Sequence, residues 1–276
     1  MIPTVPGYLL VDRVAGSDRS EVWRARDHAN RPVALKILLD QREDRRIRFE
    51  AEGRLLRQLG GRHHLVACLE TIRQPPTLVL ELIGPASLRD LMAPPGMGGH
   101  PTPLPIDQAL VAIVTAAEAV EWLHQNGVFH RDVKPSNLAM ASDGTAWLID
   151  LGVAAHGTPP RGLPEEWIEE RIGSLGYAAP ELLRNPSAAA PTLDVYGLAA
   201  TLYEAVSGHL PFDFGPLETD ADFHARIAGA EAPIPLGSRG SFPGRFAAAV
   251  DRGLAPRPED RFQSVGALVD ALSTAR

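Results

Sequence analysis

The stretch His130-Arg131-Asp132-Val133-Lys134-Pro135-Ser136-Asn137 sets a carboxylate, an ammonium and an amide within one turn of loop. A further acid follows thirteen residues past Asn137, in Leu148-Ile149-Asp150-Leu151-Gly152. Read as chemistry, these groups are an acceptor for a hydroxyl proton, a cation for a phosphate and two oxygen ligands for magnesium. That is the equipment of phosphoryl transfer, where positioning and charge neutralisation supply most of the catalysis. The rest of the chain is organised around this loop.

With 276 residues, 45% of them apolar, the chain has material for a real core and room for one or two compact units. A net charge of -7 without a long basic run argues against a nucleic-acid partner. The one cysteine, Cys68, excludes a disulfide framework within the chain and points to a reducing, cytoplasmic setting. No apolar run approaches the roughly 20 residues that span a bilayer, and the N-terminus has no signal-peptide pattern, so no membrane segment is expected in this chain.

The loop and the acid resemble the H-R-D-L-K-P-x-N and D-F-G motifs of eukaryotic-like (Hanks-type) serine/threonine protein kinases of bacterial type. Leu151 stands in place of Phe, and further matches run from about Tyr8 to about Leu272. The resemblance implies an α+β, two-lobed protein-kinase fold. Its small β-rich N-lobe, 1–83, has one main helix and binds nucleotide. Its larger, mainly helical C-lobe, 84–276, carries the catalytic loop, the activation segment and substrate binding. The implied activity is transfer of the ATP γ-phosphoryl to Ser or Thr hydroxyls of proteins. Mg2+ is the implied cofactor, with Mn2+ as a substitute. The implied partners are ATP and a protein substrate, with room for a regulatory protein partner.

In the N-lobe, residues 8–14 and 21–26 alternate apolar and polar and read as a hairpin. The resemblance makes it the cover over the ATP phosphates. Aligning Val22 on the valine of G-x-G-x-x-G-x-V puts Ala15, Ser17 and Ser20 where the glycines belong, with Gly16 displaced by one. Glycine would let backbone N–H groups approach phosphate closely. Restoring it should therefore lower the KM for ATP. Residues 31–38 are a third strand that Pro32 can open, and Val33-Ala34-Leu35-Lys36 resembles V-A-I-K. Residues 41–59 read as one helix ended by Gly60-Gly61. Glu50 and Glu52 both compete to pair with Lys36, and the family spacing favours Glu52. Residues 65–72 and 77–82 read as two more strands. The second leads into a hinge in which the resemblance makes Leu80 the residue beside the adenine and gives base contacts to the backbone of Glu81 and Ile83.

In the C-lobe, 87–92 reads as a short helix and 93–105, with five prolines, as a structureless loop. Apolar residues at 110, 113, 114, 117, 120 and 123 keep helical spacing from Ile106 to Gly127. Asp143-Gly144 is a hairpin turn, and Ala139 would lie beneath the adenine. Residues 173–181 resemble G-T-x-x-Y-x-A-P-E, with Ser174 as the hydroxyl that bridges Lys134 and Asp132. Between Gly152 and Gly173 the only hydroxyl residue is Thr158, whereas Glu165, Glu166, Glu169 and Glu170 cluster there. One of those carboxylates could hold Arg131 without phosphorylation. Asp194 would cap the backbone of the catalytic loop, Arg261 would pair with Glu181, and 242–253 and 262–272 would be closing helices.

The resemblance thus assigns catalysis to Asp132, Lys134, Lys36 and Glu52 and metal binding to Asn137 and Asp150. Nucleotide contacts fall to Ala15, Gly16, Ser17, Ser20, Val22, Ala34, Lys36, Leu80, Glu81, Ile83 and Ala139. A rival reading is a pseudokinase, a non-catalytic partner-binding module with weakened nucleotide binding. The altered glycines favour it, and the presence of every charged catalytic residue opposes it.

Overall fold

In a computed structural model, the structure describes residues 3–40, 42–92, 101–151, 155–156, 174 and 176–275. The chain divides into two compact units, residues 1–84 with 149–152, and residues 85–148 with 153–276.

The first unit is built on one antiparallel sheet. Strands β1 (Leu9–Gly16), β2 (Ser20–Arg26) and β3 (Pro32–Leu38) follow one another. Helix α1 (Glu43–Leu59) comes next, then β4 (Cys68–Arg73) and β5 (Pro76–Glu81). The order across the sheet is β1-β2-β3-β5-β4. Because side chains alternate along a strand, Val33, Leu35 and Ile37 share one face and Ala34 and Lys36 the other. Val33, Leu35, Ile37, Ala25 and Val79 form a core with Val5. On β5, Leu78 and Leu80 pair with Lys36 and Ala34 and belong to the opposite face.

Helix α1 buries Phe49, Glu52, Gly53, Leu56 and Leu59. Gly53 is required by close approach, since a Cβ there would stand 2.7 Å from Leu78 Cδ2. The helix begins at Glu43, with Glu43 and Asp44 in its first turn where acids suit the dipole. Gln41 lies outside the described residues. Gly60 closes the helix, its N–H donating to the Leu56 carbonyl at 3.0 Å.

The second unit is mainly helical. In chain order it holds β6 (Ala86–Ser87), α2 (Leu88–Met92), α3 (Ile106–Gln125), β7 (Val128–Phe129), β8 (Leu138–Met140), β9 (Ala146–Leu148) and β10 (Ala155–His156). Then come α4 (Pro180–Arg184), α5 (Pro191–Ser207), α6 (Asp220–Ala228), α7 (Gly244–Gly253) and α8 (Val265–Ser273). Every residue of α5 from Thr192 to Ser207 is buried. A helix without an exposed face is the axis of its unit rather than its wall. Gly208 ends it in the left-handed conformation, φ 72°.

Two local findings differ from the sequence reading. Residues 101–105 form no helix or strand, but they are tied in place, since Leu104 N–H donates to the Ala205 carbonyl at 2.7 Å. Residues 93–100 lie outside the described part. Helix α6 was not anticipated, although Thr219 and Asp222 form a reciprocal capping box at its start. No described helix is long and apolar enough to cross a membrane.

Tyr196 sits on α5 with Arg261 Cζ 4.9 Å from its ring centroid. Its hydroxyl is buried and has no hydrogen-bond partner among the described residues. Tyr196→Phe keeps the ring and removes the orphan group, so the melting temperature should hold or rise, by up to about 1 kcal/mol of stability. A clear fall would mean that the hydroxyl is satisfied in solution.

Candidate active site

The loop 130–137 is held from below by α5. Asp194, with no exposed surface, accepts the N–H of His130 at 2.9 Å and that of Arg131 at 2.7 Å. His124 Nε2, from the end of α3, lies 2.7 Å from the same carboxylate. Arg131 takes φ 67°, a conformation few non-glycine residues adopt. Two successive amides satisfied by one carboxylate hold the loop in that shape. Burial pushes the Asp194 carboxyl up, but His124, His130 and the Arg131 amide outweigh it and hold the group below the ordinary aspartate value.

Asp132 is bracketed from three sides. Lys134 Nζ donates to its Oδ2 at 2.7 Å, and the Ser174 N–H donates to Oδ1 at 3.1 Å. Asn137 Nδ2 donates to the Asp132 carbonyl at 2.8 Å and to Oδ2 at 3.3 Å. The Ser174 hydroxyl accepts from Lys134. So Ser174 does bridge the two residues, but it reaches Asp132 through its backbone amide and only Lys134 through its hydroxyl. Asp132 and Lys134 keep 12% and 22% of their side-chain surface exposed, enough to meet a substrate. Arg131 Nη1 donates to the Pro186 carbonyl at 2.8 Å. Gly152, Thr158 and the glutamates at 165, 166, 169 and 170 lie outside the described residues.

Two polar clusters brace this region. Arg261 forks onto Glu181 at 2.6 and 2.8 Å and is itself fully buried. Arg89 of α2 forks onto Glu204 of α5 at 2.8 Å twice, and the Tyr177 hydroxyl donates to the same glutamate. Burial and then Glu204 push the Tyr177 phenol up. The sequence reading found the first cluster and missed the second, along with His124. A signal was available, because Asp194 and Glu204 are the only charged residues in α5. Carboxylates on a fully buried helix require partners.

In the first unit Lys36 leaves β3 for α1. Its Nζ lies 2.7 and 2.8 Å from the two Glu52 oxygens and 3.1 Å from Asp150 Oδ1. Glu50 is solvent-facing and near Arg46, so the competition between the two glutamates resolves to Glu52. The Leu151 N–H donates to Glu52 at 3.3 Å. Burial would lower the Lys36 ammonium, but Asp150 and Glu52 reverse it, and the group is held above its ordinary value. Burial raises Glu52, with Asp150 adding and Lys36 opposing. Contact to both carboxylate oxygens favours the ionised pair.

A family model described as protein kinase domain matches residues 16–237. This chain belongs to that family. Serine/threonine-protein kinase PknB of Mycobacterium leprae is 32% identical over 269 residues, covering 93% of this chain and 41% of that protein. PknL of Mycobacterium tuberculosis is 30% identical over 282 residues, covering 96% and 65%. PknK of the same species is 31% identical over 272 residues, covering 95% and 23%. The chain therefore spans less than two thirds of the length of these curated relatives.

The family generally uses ATP and Mg2+, and the donor set fits. Asn137 commits its amide nitrogen to Asp132, which leaves its carbonyl oxygen as the atom to offer a metal. Asp150 keeps 38% of its side chain exposed. Among the described residues no group of three or more His, Cys, Asp or Glu could hold a metal alone. Asn137 and Asp150 each offer an oxygen of the kind magnesium prefers.

The residues assigned to nucleotide contact lie as follows. Val22 pairs with Lys36 across β2 and β3, and Ala34 pairs with Leu80 across β3 and β5. Leu80 is buried. The Glu81 N–H is taken by the Ala67 carbonyl at 3.0 Å, so a base would meet only its carbonyl. Ile83 is half-buried just past β5, and Ala139 is half-buried on β8, in the second unit. Ala15 and Gly16 end β1, with Gly16 beneath the Arg13 guanidinium. The turn to Ser20 closes on itself. The Ser17 N–H donates to the Ser20 carbonyl at 2.9 Å, and Ser17 Oγ accepts from Arg19 N–H at 3.1 Å and Ser20 N–H at 3.4 Å.

Asp194 supplies the prediction here. Because its folded value is lowered, the stability it contributes is present above the ordinary aspartate range and drains away as pH falls through it. Asp194→Asn turns one acceptor into a donor facing an N–H. In urea it should cost about 3–5 kcal/mol at neutral pH and less in acid. A neutral-pH midpoint equal to wild type would remove Asp194 from this role.

Proposed function

We propose that this chain is a serine/threonine protein kinase that transfers the ATP γ-phosphoryl to Ser or Thr hydroxyls of proteins. The observation that carries the reading is the bracketed Asp132. A carboxylate held by Lys134, Ser174 and Asn137, yet partly exposed, is placed to accept the proton of an attacking hydroxyl. Lys134 neutralises charge growing on the moving phosphoryl. Lys36, held above its ordinary value and aligned by Glu52, remains a cation and holds the α- and β-phosphates. Asn137 and Asp150 are the residues that would hold magnesium, which would supply positive charge against the phosphate oxygens. The names of the mycobacterial relatives support protein Ser/Thr substrates over small molecules.

The closed turn at Ser17 bears on nucleotide affinity rather than on chemistry. Its amides already have partners, so phosphate must compete for them. Nucleotide contacts at Ala15, Gly16, Ser17 and Ser20 are accordingly weak in this reading, whereas those at Val22, Ala34, Leu80, Glu81, Ile83 and Ala139 depend on shape and on the hinge backbone.

The test is transfer of labelled γ-phosphate from Mg-ATP to a generic basic protein. Wild type should transfer, and Asp132→Ala should lose the activity by about a hundredfold or more with nucleotide binding intact. Equal rates would displace Asp132 from the role, and silence of the wild type at millimolar ATP would favour a pseudokinase. In the same assay Ser17→Gly, which frees two amides, should lower the KM for ATP several-fold with kcat little changed. Ala15→Gly frees none and should do less. An unchanged KM in Ser17→Gly would show that the turn does not limit ATP binding.

A further inference from the structure

In the second unit, helix α7 and the end of α8 flank an open groove of about 300 Å3. Its α7 wall is Arg245, Ala248, Ala249 and Arg252. These stand at i, i+3, i+4 and i+7, so they share one helix face. Ala271 and Thr274 form part of the α8 wall. Among the described residues no carboxylate lines the groove, in a chain whose net charge is -7. Arg245 is exposed and has no side-chain partner among the described residues. Arg252 is also exposed, and its Cζ lies 4.3 Å from the centroid of the Phe262 ring. Stacking engages the face of a guanidinium and leaves its N–H edge for an anion.

The two forks are rooted about 10.5 Å apart along α7, two helical turns. The ring under Arg252 holds that fork in place, so the pair does not converge on one small ion. An occupant must carry two anionic groups at matching separation, with a narrow apolar surface between them for the alanines. Nucleic acid is disfavoured by the net charge. An amphipathic helix with carboxylates at i and i+7 and aliphatic residues at i+3 and i+4 meets every term. Alanine walls let a second helix backbone lie close, as helix-in-groove recognition requires. We propose that this groove is a docking site for an acidic amphipathic helix of a partner protein. Its two carboxylates meet Arg245 and Arg252, and its aliphatic residues lie against Ala248 and Ala271. Neither arginine belongs to the transfer machinery, and docking is read without ATP. Failure of this site and failure of the kinase reading are therefore separate results.

The experiment is fluorescence anisotropy of the whole chain against a labelled, helix-forming peptide with two glutamates seven positions apart and leucines at the third and fourth positions between them. Saturable binding is expected, weaker by about tenfold or more when both glutamates become glutamine. Arg245→Glu should weaken it by a similar factor, and so should Ala248→Trp, which fills the floor. Both positions are exposed, so each variant should keep the wild-type melting temperature and rate of phosphate transfer. Arg245→Glu combined with Arg252→Glu should reject the glutamate peptide and bind the same peptide with lysines in place of the glutamates. Absence of binding would overturn the proposal, as would binding that survives Arg245→Glu and Ala248→Trp. Equal binding of a peptide with its glutamates four apart would reduce the groove to a patch of positive charge and overturn it too. Self-association of the chain that Arg245→Glu abolishes would overturn it in favour of a second copy as the occupant.

Discussion

A carboxylate with no exposed surface must be satisfied from every side, and Asp194 sets the terms for the second unit. It stands on the first turn of a helix that is itself buried along its length, so its position follows from the packing of that helix. Its partners are two consecutive backbone amides and His124. Taking both amides forces the chain through the left-handed conformation at Arg131 and so determines how Asp132 leaves the loop. The Asp132 carboxylate is oriented by that of Asp194, through main chain rather than through a side-chain chain of contacts. Gly197, one turn further along α5, is part of the same arrangement. A Cβ there would lie 3.1 Å from the Val133 carbonyl oxygen, so a larger residue would need the loop to give by a few tenths of an ångström.

The first unit solves a similar problem with opposite sign. Lys36 is a cation on a half-apolar strand face, and an unpaired buried ammonium is costly. Glu52 answers it because α1 lies close to the sheet, and Gly53 leaves room there for the Leu78 side chain. Residues 149–152 belong to this unit although they are distant in sequence, and they bring Asp150 to Lys36 and the Leu151 amide to Glu52. A buried ion pair is weak evidence for stability. It is better evidence for orientation, because a lysine that contacts two carboxylates is restricted to one direction.

Much of this was legible in the sequence. The residues at 36, 52, 132, 134, 137, 150, 174, 181, 194 and 261 could be picked out because they are charged or polar groups in short patterns that resemble those of the family. The strands of the first unit and the helices α1 and α3 followed from alternation and helical spacing. What stayed hidden depends on partners far apart in the chain. Arg89 and Glu204 are separated by 115 positions, and His124 and Asp194 by 70. Neither Arg89 nor His124 has a local pattern to announce it, and Glu204 shows only as a charge on an otherwise uncharged stretch of helix. Helix α6 is the exception, since its Thr219-x-x-Asp222 box was in plain view.

The hairpin turn shows why residue identity alone misleads about a phosphate loop. The sequence reading counts lost glycines and infers poorer access for the backbone. The structure points instead to what the replacement side chain does. Ser17 Oγ and the Ser20 carbonyl take up three amide contacts of the turn, so the loop is satisfied before any ligand arrives. A glycine turn leaves such amides to water, and phosphate displaces only water. Here phosphate must displace a hydroxyl as well, and each such hydrogen bond is worth about 1 kcal/mol net. Two of them amount to roughly one or two orders of magnitude in affinity at most, before allowing for the long geometry of one of the pair. Under the proposed function such a cost would weaken ATP binding without abolishing it. The charged groups to which the proposed function gives the chemistry lie outside this turn, so altered loop glycines and a complete charged set are compatible.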